Sequence, residues 1–254
     1  MSDIEIRTDG RVRELRLNRP AKKNALTLAM YRELAAALAD ADRDDGVRVA
    51  LVTGAGDTFC AGNDIGDFIQ LASGGGMDPE TAPPMQFLRA LVGFGKPIVG
   101  AARGAAVGIG LTMLLHVDIV HIASGTQLVA PFVNLGLTPE AASSLLLPAR
   151  LGPALAAEAL LFGEPIDAAV ALAHGLVNGV HAPGELDDLA RRRAAELAAK
   201  APNALRATRA LLHRDRAAVL ARMDEEAELF AASLASAEAR EGFAAFVQKR
   251  PAKF

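Results

Sequence analysis

Tryptophan is absent from the 254-residue chain, tyrosine occurs once, as Tyr31, and cysteine once, as Cys60. A single cysteine excludes an internal disulfide and any metal site built from several thiolates, and it suits a reducing compartment. With aromatic residues at 4%, the chain lacks the stacking platforms that single-stranded nucleic acids require. Neither sign of charge dominates: 27 Lys and Arg against 30 Asp and Glu leave a formal charge of −3. That balance draws in neither polyphosphate backbones nor anionic lipid, so no nucleic-acid or membrane partner is expected. A clean apolar run is also missing. The most apolar stretch, Pro97–Ala123, is broken by Arg103, His116, Asp118 and His121 and by repeated glycines, as in a buried core rather than a membrane span. The first ten residues carry acids and no apolar centre, so no secretory signal is expected and the protein is placed in the cytoplasm.

What is present is 51% apolar residue content over a length that suits one large domain, or one with a small appendage. The segments Ile4–Thr8 and Val12–Leu17, separated by Asp9-Gly10, read as a hairpin with a type I′ turn. Leu28, Tyr31, Leu34, Ala35 and Leu38 recur at helical spacing over Leu26–Arg43, and the compact apolar run in Val47–Thr53 reads as a buried strand. The rhythm repeats through a Gly-rich linker over Ser73–Pro84, a helix from Met85 to Phe94 and a strand at Pro97–Ala101. A buried helix over Gly108–His116 follows, with strands at Asp118–Ile122 and Gln127–Ala130. A further helix, Ala141–Arg150, is opened by Thr138-Pro139. Beyond Pro153 the text is helical apart from a short strand in Leu176–His181. Its last segment, Ser236–Arg250, sets Phe243, Phe246 and Val247 on one face, which suits packing against the main domain or a second subunit.

The usual catalytic signatures are missing. The five histidines show no ligand spacing and read as structural. Asp64 and Asp67 form the closest carboxylate pair, but acids three apart at a helix start are ordinarily solvated and favoured by the dipole, so no metal is expected. Ser143 and Ser144 lack a nucleophile elbow, and Gly104–Gly110 does not match the dinucleotide fingerprint. Two glycine-rich turns remain, Thr53–Asp64 and Arg103–Gly110, each between a strand and a helix. Glycine lets backbone approach a ligand closely, so two such turns can converge on one oxygen. Spacing alone leaves open whether these glycines serve only tight packing.

At these residues the chain resembles the enoyl-CoA hydratase/isomerase, or crotonase, superfamily. The matching text is LNRPAKKNAL (Leu17–Leu26), GAGDTFCAGNDI (Gly54–Ile65), PIVGAARGAAVGIGLTMLLHVDIVHIA (Pro97–Ala123), LGLTPEAAS (Leu135–Ser143) and EGFAAFVQKRPAKF (Glu241–Phe254). The resemblance implies an α/β fold, a spiral of ββα units with a C-terminal helical layer. It implies a core domain over residues 1–200 and a helical trimerisation region over 201–254, assembling as a trimer or a dimer of trimers. It also implies an oxyanion hole in which the amides of Asn63 and Ile109 grip the thioester oxygen of an acyl-CoA, flanked by Ala61, Asp64, Ile65 and Gly108. Such donors stabilise the enolate that forms when a proton leaves the carbon beside the thioester. Acyl-CoA is the expected substrate and no cofactor is expected. Lys22 or Lys23, and Lys249 or Lys253 reaching a neighbouring subunit, are the cations expected to meet CoA.

The reaction turns on carboxylates. Where family hydratases place two glutamates this chain holds Thr112 and Phe132, whereas Glu140 resembles the single catalytic glutamate of peroxisomal-type isomerases that convert 3-enoyl-CoA to 2-enoyl-CoA. One carboxylate suffices there, taking a proton from carbon 2 and returning it at carbon 4. Two alternatives stand beside this expectation: a hydratase or related lyase using Asp64, Asp67 or Glu80, and an acyl-CoA-binding homologue without turnover. Glu140 also has a bland reading, with Thr138 as N-cap, Pro139 in the first helical position and an acid in the first turn. Burial would raise its pKa and a helix dipole would lower it.

Overall fold

A computed structural model describes residues 2–67, 81–213 and 215–254. The chain opens with a hairpin, β1 (Ile4–Asp9) and β2 (Val12–Leu17), in which Asp9 faces Val12. Its turn departs from type I′: Gly10 has a φ of 55°, but Arg11, which carries a Cβ, keeps a negative φ and so avoids the left-handed region. Helix α1 (Leu28–Arg43) follows, its first turn closed by Thr27 Oγ1, which accepts from Met30 N, and by Asp67 Oδ2, which accepts from Leu28 N at 2.8 Å. Strand β3 (Val49–Gly54), helix α2 (Pro83–Gly93) and strand β4 (Ile98–Ala102) come next. The linker expected over Ser73–Pro84 lies, up to residue 80, outside the described residues.

Strand β5 (Ala105–Val107) leads into helix α3 (Ile109–Thr112). The expected long helix through His116 instead tightens after one turn into a 3-10 turn over Met113–His116. Then come β6 (Ile119–Ala123), β7 (Gln127–Val129), α4 (Ser143–Leu151), α5 (Pro153–Ala157), β8 (Ile166–Asp167), α6 (Ala168–Ala173) and β9 (Gly179–His181). Four longer helices close the chain: α7 (Leu186–Ala198), α8 (Pro202–Leu212), α9 (Arg216–Leu234) and α10 (Ala237–Val247).

The main sheet has the order β1-β2-β3-β4-β6-β9, parallel except for the opening hairpin, and a small second sheet has the order β5-β7-β8. Both faces of the main sheet are covered, which is why β3 and β4 read as unbroken apolar runs. Side chains alternate across the pleat. Ala50, Val52 and Ile98 join the core shared with α1 and α2, while Val49, Leu51, Val99 and Ala101 face Ala190 and Ala194 of α7. Fully buried anchors such as Phe59 and Phe94 each contribute about 1.5–3 kcal/mol of burial free energy.

The C-terminal helices are tied to this core. Met223 of α9 and Ala239 and Phe243 of α10 are buried in the main cluster, and α10 lies so close to the turn at Val133–Leu135 that a Cβ on Gly242 would sit 2.5 Å from Leu135 O. The shared face expected in this helix divides: Phe243 is buried, but Phe246 and Val247 are about 60% exposed. Among the described residues, no helix is long and apolar enough to cross a membrane.

Candidate active site

The two glycine-rich turns are sewn together by backbone. Phe59 N donates to Arg103 O at 2.9 Å, Cys60 N to Ala105 O at 3.1 Å and Val107 N to Cys60 O at 2.9 Å. The segment before Gly62 therefore runs parallel to β5, with Cys60 opposite Ala106, and Asn63 and Ile109 each follow three residues further on. A Cβ on Gly110 would lie 2.6 Å from Cys60 O, so only glycine permits the contact, whereas Gly108, with φ 53° and nothing within 4 Å of its would-be Cβ, is needed for its backbone conformation alone.

Both emergent amides are open. Leu26 N donates to Gly62 O and Asp64 N to Leu26 O, each at 2.8 Å, which brackets Asn63. Its side-chain oxygen takes the hydroxyl of Tyr31. Among the described residues the N–H of Asn63 and the N–H of Ile109 have no acceptor. Ile109 begins α3, where a helix leaves its first amides unpaired. Asn24, which sequence reading passed over, pins the first turn from behind: it is fully buried and donates through Nδ2 to Ala55 O at 2.8 Å and Thr58 O at 2.7 Å. An asparagine just before an apolar residue in a loop is too common a signal to have marked it.

Glu140 is held differently. Helix α4 begins at Ser143, so Thr138 is no N-cap and Glu140 stands in the loop ahead of the helix. Two left-handed alanines follow it, Ala141 at φ 60° and Ala142 at φ 57°, each costing roughly 1–2 kcal/mol in an L-residue. Neutral His116, its pKa pressed to about 4 by burial, holds Ala141 O at 2.8 Å. This is the structural role expected of it. Glu140 is 9% exposed, its Oε1 is buried without a partner, and no hydrogen bond reaches its carboxyl among the described residues. Burial, reinforced by the charge of Glu226, lifts its pKa to about 8. Burial first, and then the charge of Glu140, raises both the Tyr31 hydroxyl and the Cys60 thiol, the latter pushed up to about 12.

The family model for enoyl-CoA hydratase/isomerase matches residues 7–254. The chain belongs to that family. It is 34% identical to "Enoyl-CoA delta isomerase 2" of Rattus norvegicus over 98% of this chain, and it spans 64% of the length of that protein. It is 33% identical to "2,3-dehydroadipyl-CoA hydratase" of Escherichia coli K12, covering all of this chain and 99% of the other. Among solved structures, the enoyl-CoA hydratase/isomerase from Pseudoalteromonas atlantica T6c superposes with a TM-score of 0.93 at 40% identity over the full length of both chains. The fold is thus the crotonase fold, and family names divide between isomerase and hydratase.

Against that division the remaining residues can be placed. Thr112, whose Oγ1 is buried without a partner, and buried Phe132 occupy positions that offer no carboxylate. Asp64, expected near the substrate, is committed instead to an ion pair with Arg19 at 2.6 Å and to Gly66 N. These contacts overcome its partial burial and hold its pKa below the usual carboxylate range. Asp67 closes α1, and Glu80 lies outside the described residues. Ala61, partly buried, donates to Lys23 O at 2.9 Å, and Ile65 packs on the core edge. Lys22 is exposed on a 3-10 turn at Pro20–Lys22, and Lys249 and Lys253 are exposed beyond α10. Among the described residues no three His, Cys, Asp or Glu side chains group as metal ligands.

Proposed function

We propose that this protein shifts the double bond of a 3-enoyl-CoA to give the 2-enoyl-CoA, with Glu140 as the single proton carrier. The observation that carries the reading is a buried carboxyl without a hydrogen-bond partner on a chain whose two hydratase positions hold Thr112 and Phe132. In this reading the thioester oxygen sits between the amides of Asn63 and Ile109. Ionised Glu140 takes a proton from carbon 2, the dienolate charge rests on the oxygen between the two amides, and the new carboxylic acid delivers its proton to carbon 4. Each amide donor is worth about 2.7–4 kcal/mol of barrier lowering in such a site. A carboxylate lifted to about 8 is a stronger base than a solvated one, which suits abstraction of a weakly acidic carbon proton. In the free enzyme it is mostly protonated at neutral pH, so kcat/KM rises with pH toward about 8.

Lys22 would meet the CoA phosphates from its own subunit, and Lys249 or Lys253 from a neighbour. Assembly as a trimer or dimer of trimers is part of the same reading. It is supported by Leu211 and Leu212, exposed at 73% and 76%, and by Phe246 and Val247.

Incubation of the purified protein with 3-enoyl-CoA and, separately, 2-enoyl-CoA esters tests the reading. Conversion of the first without addition of water to the second is expected, and loss of that conversion in Glu140→Gln with acyl-CoA affinity kept. Hydration of the 2-enoyl ester as the dominant reaction, or binding of both esters without turnover, would refute it.

A further inference from the structure

A second buried carboxylate stands behind Glu140 and has no part in the reaction just proposed. Glu226, 4% exposed on α9, accepts from Ala142 N through Oε2 at 2.5 Å and from Ser144 N through Oε1 at 2.9 Å. Those two amides bracket the point where the left-handed alanines hand over to α4. The contact joins residues more than eighty positions apart and adds a long-range hold to the local bond that closes the turn, Ser143 N to Glu140 O at 3.0 Å. On the far side Arg222, one turn earlier on α9, donates to Ser144 Oγ at 3.2 Å.

We propose that Glu226 is the positioning residue of the site: its carboxylate clamps the Ala141–Ala142 turn that aims Glu140, and stands as a fixed anion behind it. The inference rests on Glu140 being the proton carrier. Charged and titratable groups face this pair from every side. Glu226 of α9 acts on Glu140, Glu140 in turn acts on Tyr31 of α1 and Cys60 of the first glycine turn, and Arg222 acts on Glu226. Two like charges at close quarters do not both ionise readily. Burial lifts both acids, but Glu226 is opposed by two amides and Arg222, contacts that Glu140 lacks. Of the two carboxyls, Glu226 is the one whose charged form is met by hydrogen-bond donors. The downstream anion makes the catalytic acid a better base without touching substrate.

The test compares Glu226→Gln, Glu226→Asp and Glu140→Gln. Glu140 is titrated by carbon-13 carboxyl NMR, its signal assigned by its disappearance in Glu140→Gln. Glu226→Gln is expected to lower kcat about tenfold or more while KM stays within about threefold, and to move the Glu140 titration toward acid by about one pH unit or more. Glu226→Asp keeps the charge but shortens the reach, so kcat should fall with the titration little changed. An unmoved titration in Glu226→Gln, or parental kcat in both variants, overturns the proposal. If Glu226→Gln does not fold, Glu226→Asp decides by its kcat alone. Should Glu140→Gln retain isomerisation, the reaction assigned above fails, while the displaced titration still judges the clamp.

Discussion

Asp118 and Glu140 are both acids drawn into the interior, and the molecule treats them in opposite ways. Asp118 is saturated: Ile98 N donates to it at 2.7 Å, Arg209 Nε at 2.8 Å and His213 Nε2 meets it at 2.6 Å. Burial works against its charge, but these contacts prevail and hold its pKa below the usual carboxylate range. Among the described residues Glu140 accepts no hydrogen bond, and burial, with the charge of Glu226 behind it, makes its pKa climb. The first arrangement fastens β4 and β6 to α8, an outcome that needs a permanent anion. The second leaves an acid whose proton is available, at a cost in stability met by the clamped turn around it. A satisfied buried acid marks structure, and an unsatisfied one marks a site where a ligand completes the contacts.

The largest expected effect falls on Glu140. Glu140→Gln should lower isomerisation about 10²–10⁴-fold, the usual worth of a positioned acid–base group, with acyl-CoA affinity within a few-fold. It should also stabilise the fold with a definite pH dependence. Because the folded pKa, about 8, lies above the ordinary 4.5, the parent binds more protons folded than unfolded between these values and loses stability as pH rises through that window. Chemical denaturation at pH 5 and pH 8.5 should therefore show the glutamine variant gaining on the parent, by on the order of a few kcal/mol at the higher pH. An equal difference at both pH values would mean that Glu140 is not held protonated.

Asp118→Asn inverts the picture. It leaves Arg209 buried without its counter-ion, and breaking such a pair costs about 3–5 kcal/mol, read in urea unfolding at pH 7. Here the folded pKa is depressed, so the stability Asp118 contributes is present above the ordinary carboxylate pKa and lost as pH falls through the depressed one. The folded fraction of the variant should turn over substrate normally, and a loss of kcat larger than the loss of folded protein would break the contrast.

Smaller effects sharpen the glycine turns. Gly108→Ala meets no neighbour but must hold φ 53° and ψ −118°, a conformation that costs about 1–3 kcal/mol outside glycine. We expect kcat to fall while the melting temperature drops by only a few degrees. Lys22→Ala, at an exposed position, should change least, raising KM a few-fold without altering kcat or stability.

Much of this was legible along the chain. The alternation of strands and helices and the two glycine turns are written in local pattern, since periodicity of apolar residues and glycine punctuation depend on near neighbours, whereas Glu140 was singled out by family resemblance. Errors cluster where distant contacts overrule that pattern. Thr138-Pro139-Glu140 has the composition of a helix start, yet the helix waits until Ser143 because Glu226 and His116 hold the intervening alanines in a turn that local preference disfavours. The ion pair of Asp64 with Arg19, forty-five residues away, likewise lies beyond any local pattern. Asn24 and Glu226 carry no local signal at all.

The amino-acid sequence by itself determined the family and the order of elements, because these rest on residue identity and short-range spacing. Only the tertiary structure decided that the two glycine turns are joined through their backbones, that Glu140 is buried without a hydrogen bond among the described residues, and that Glu226 of α9 holds the turn behind it. Burial and long-range charge are properties of the packed chain, and no window of sequence contains them.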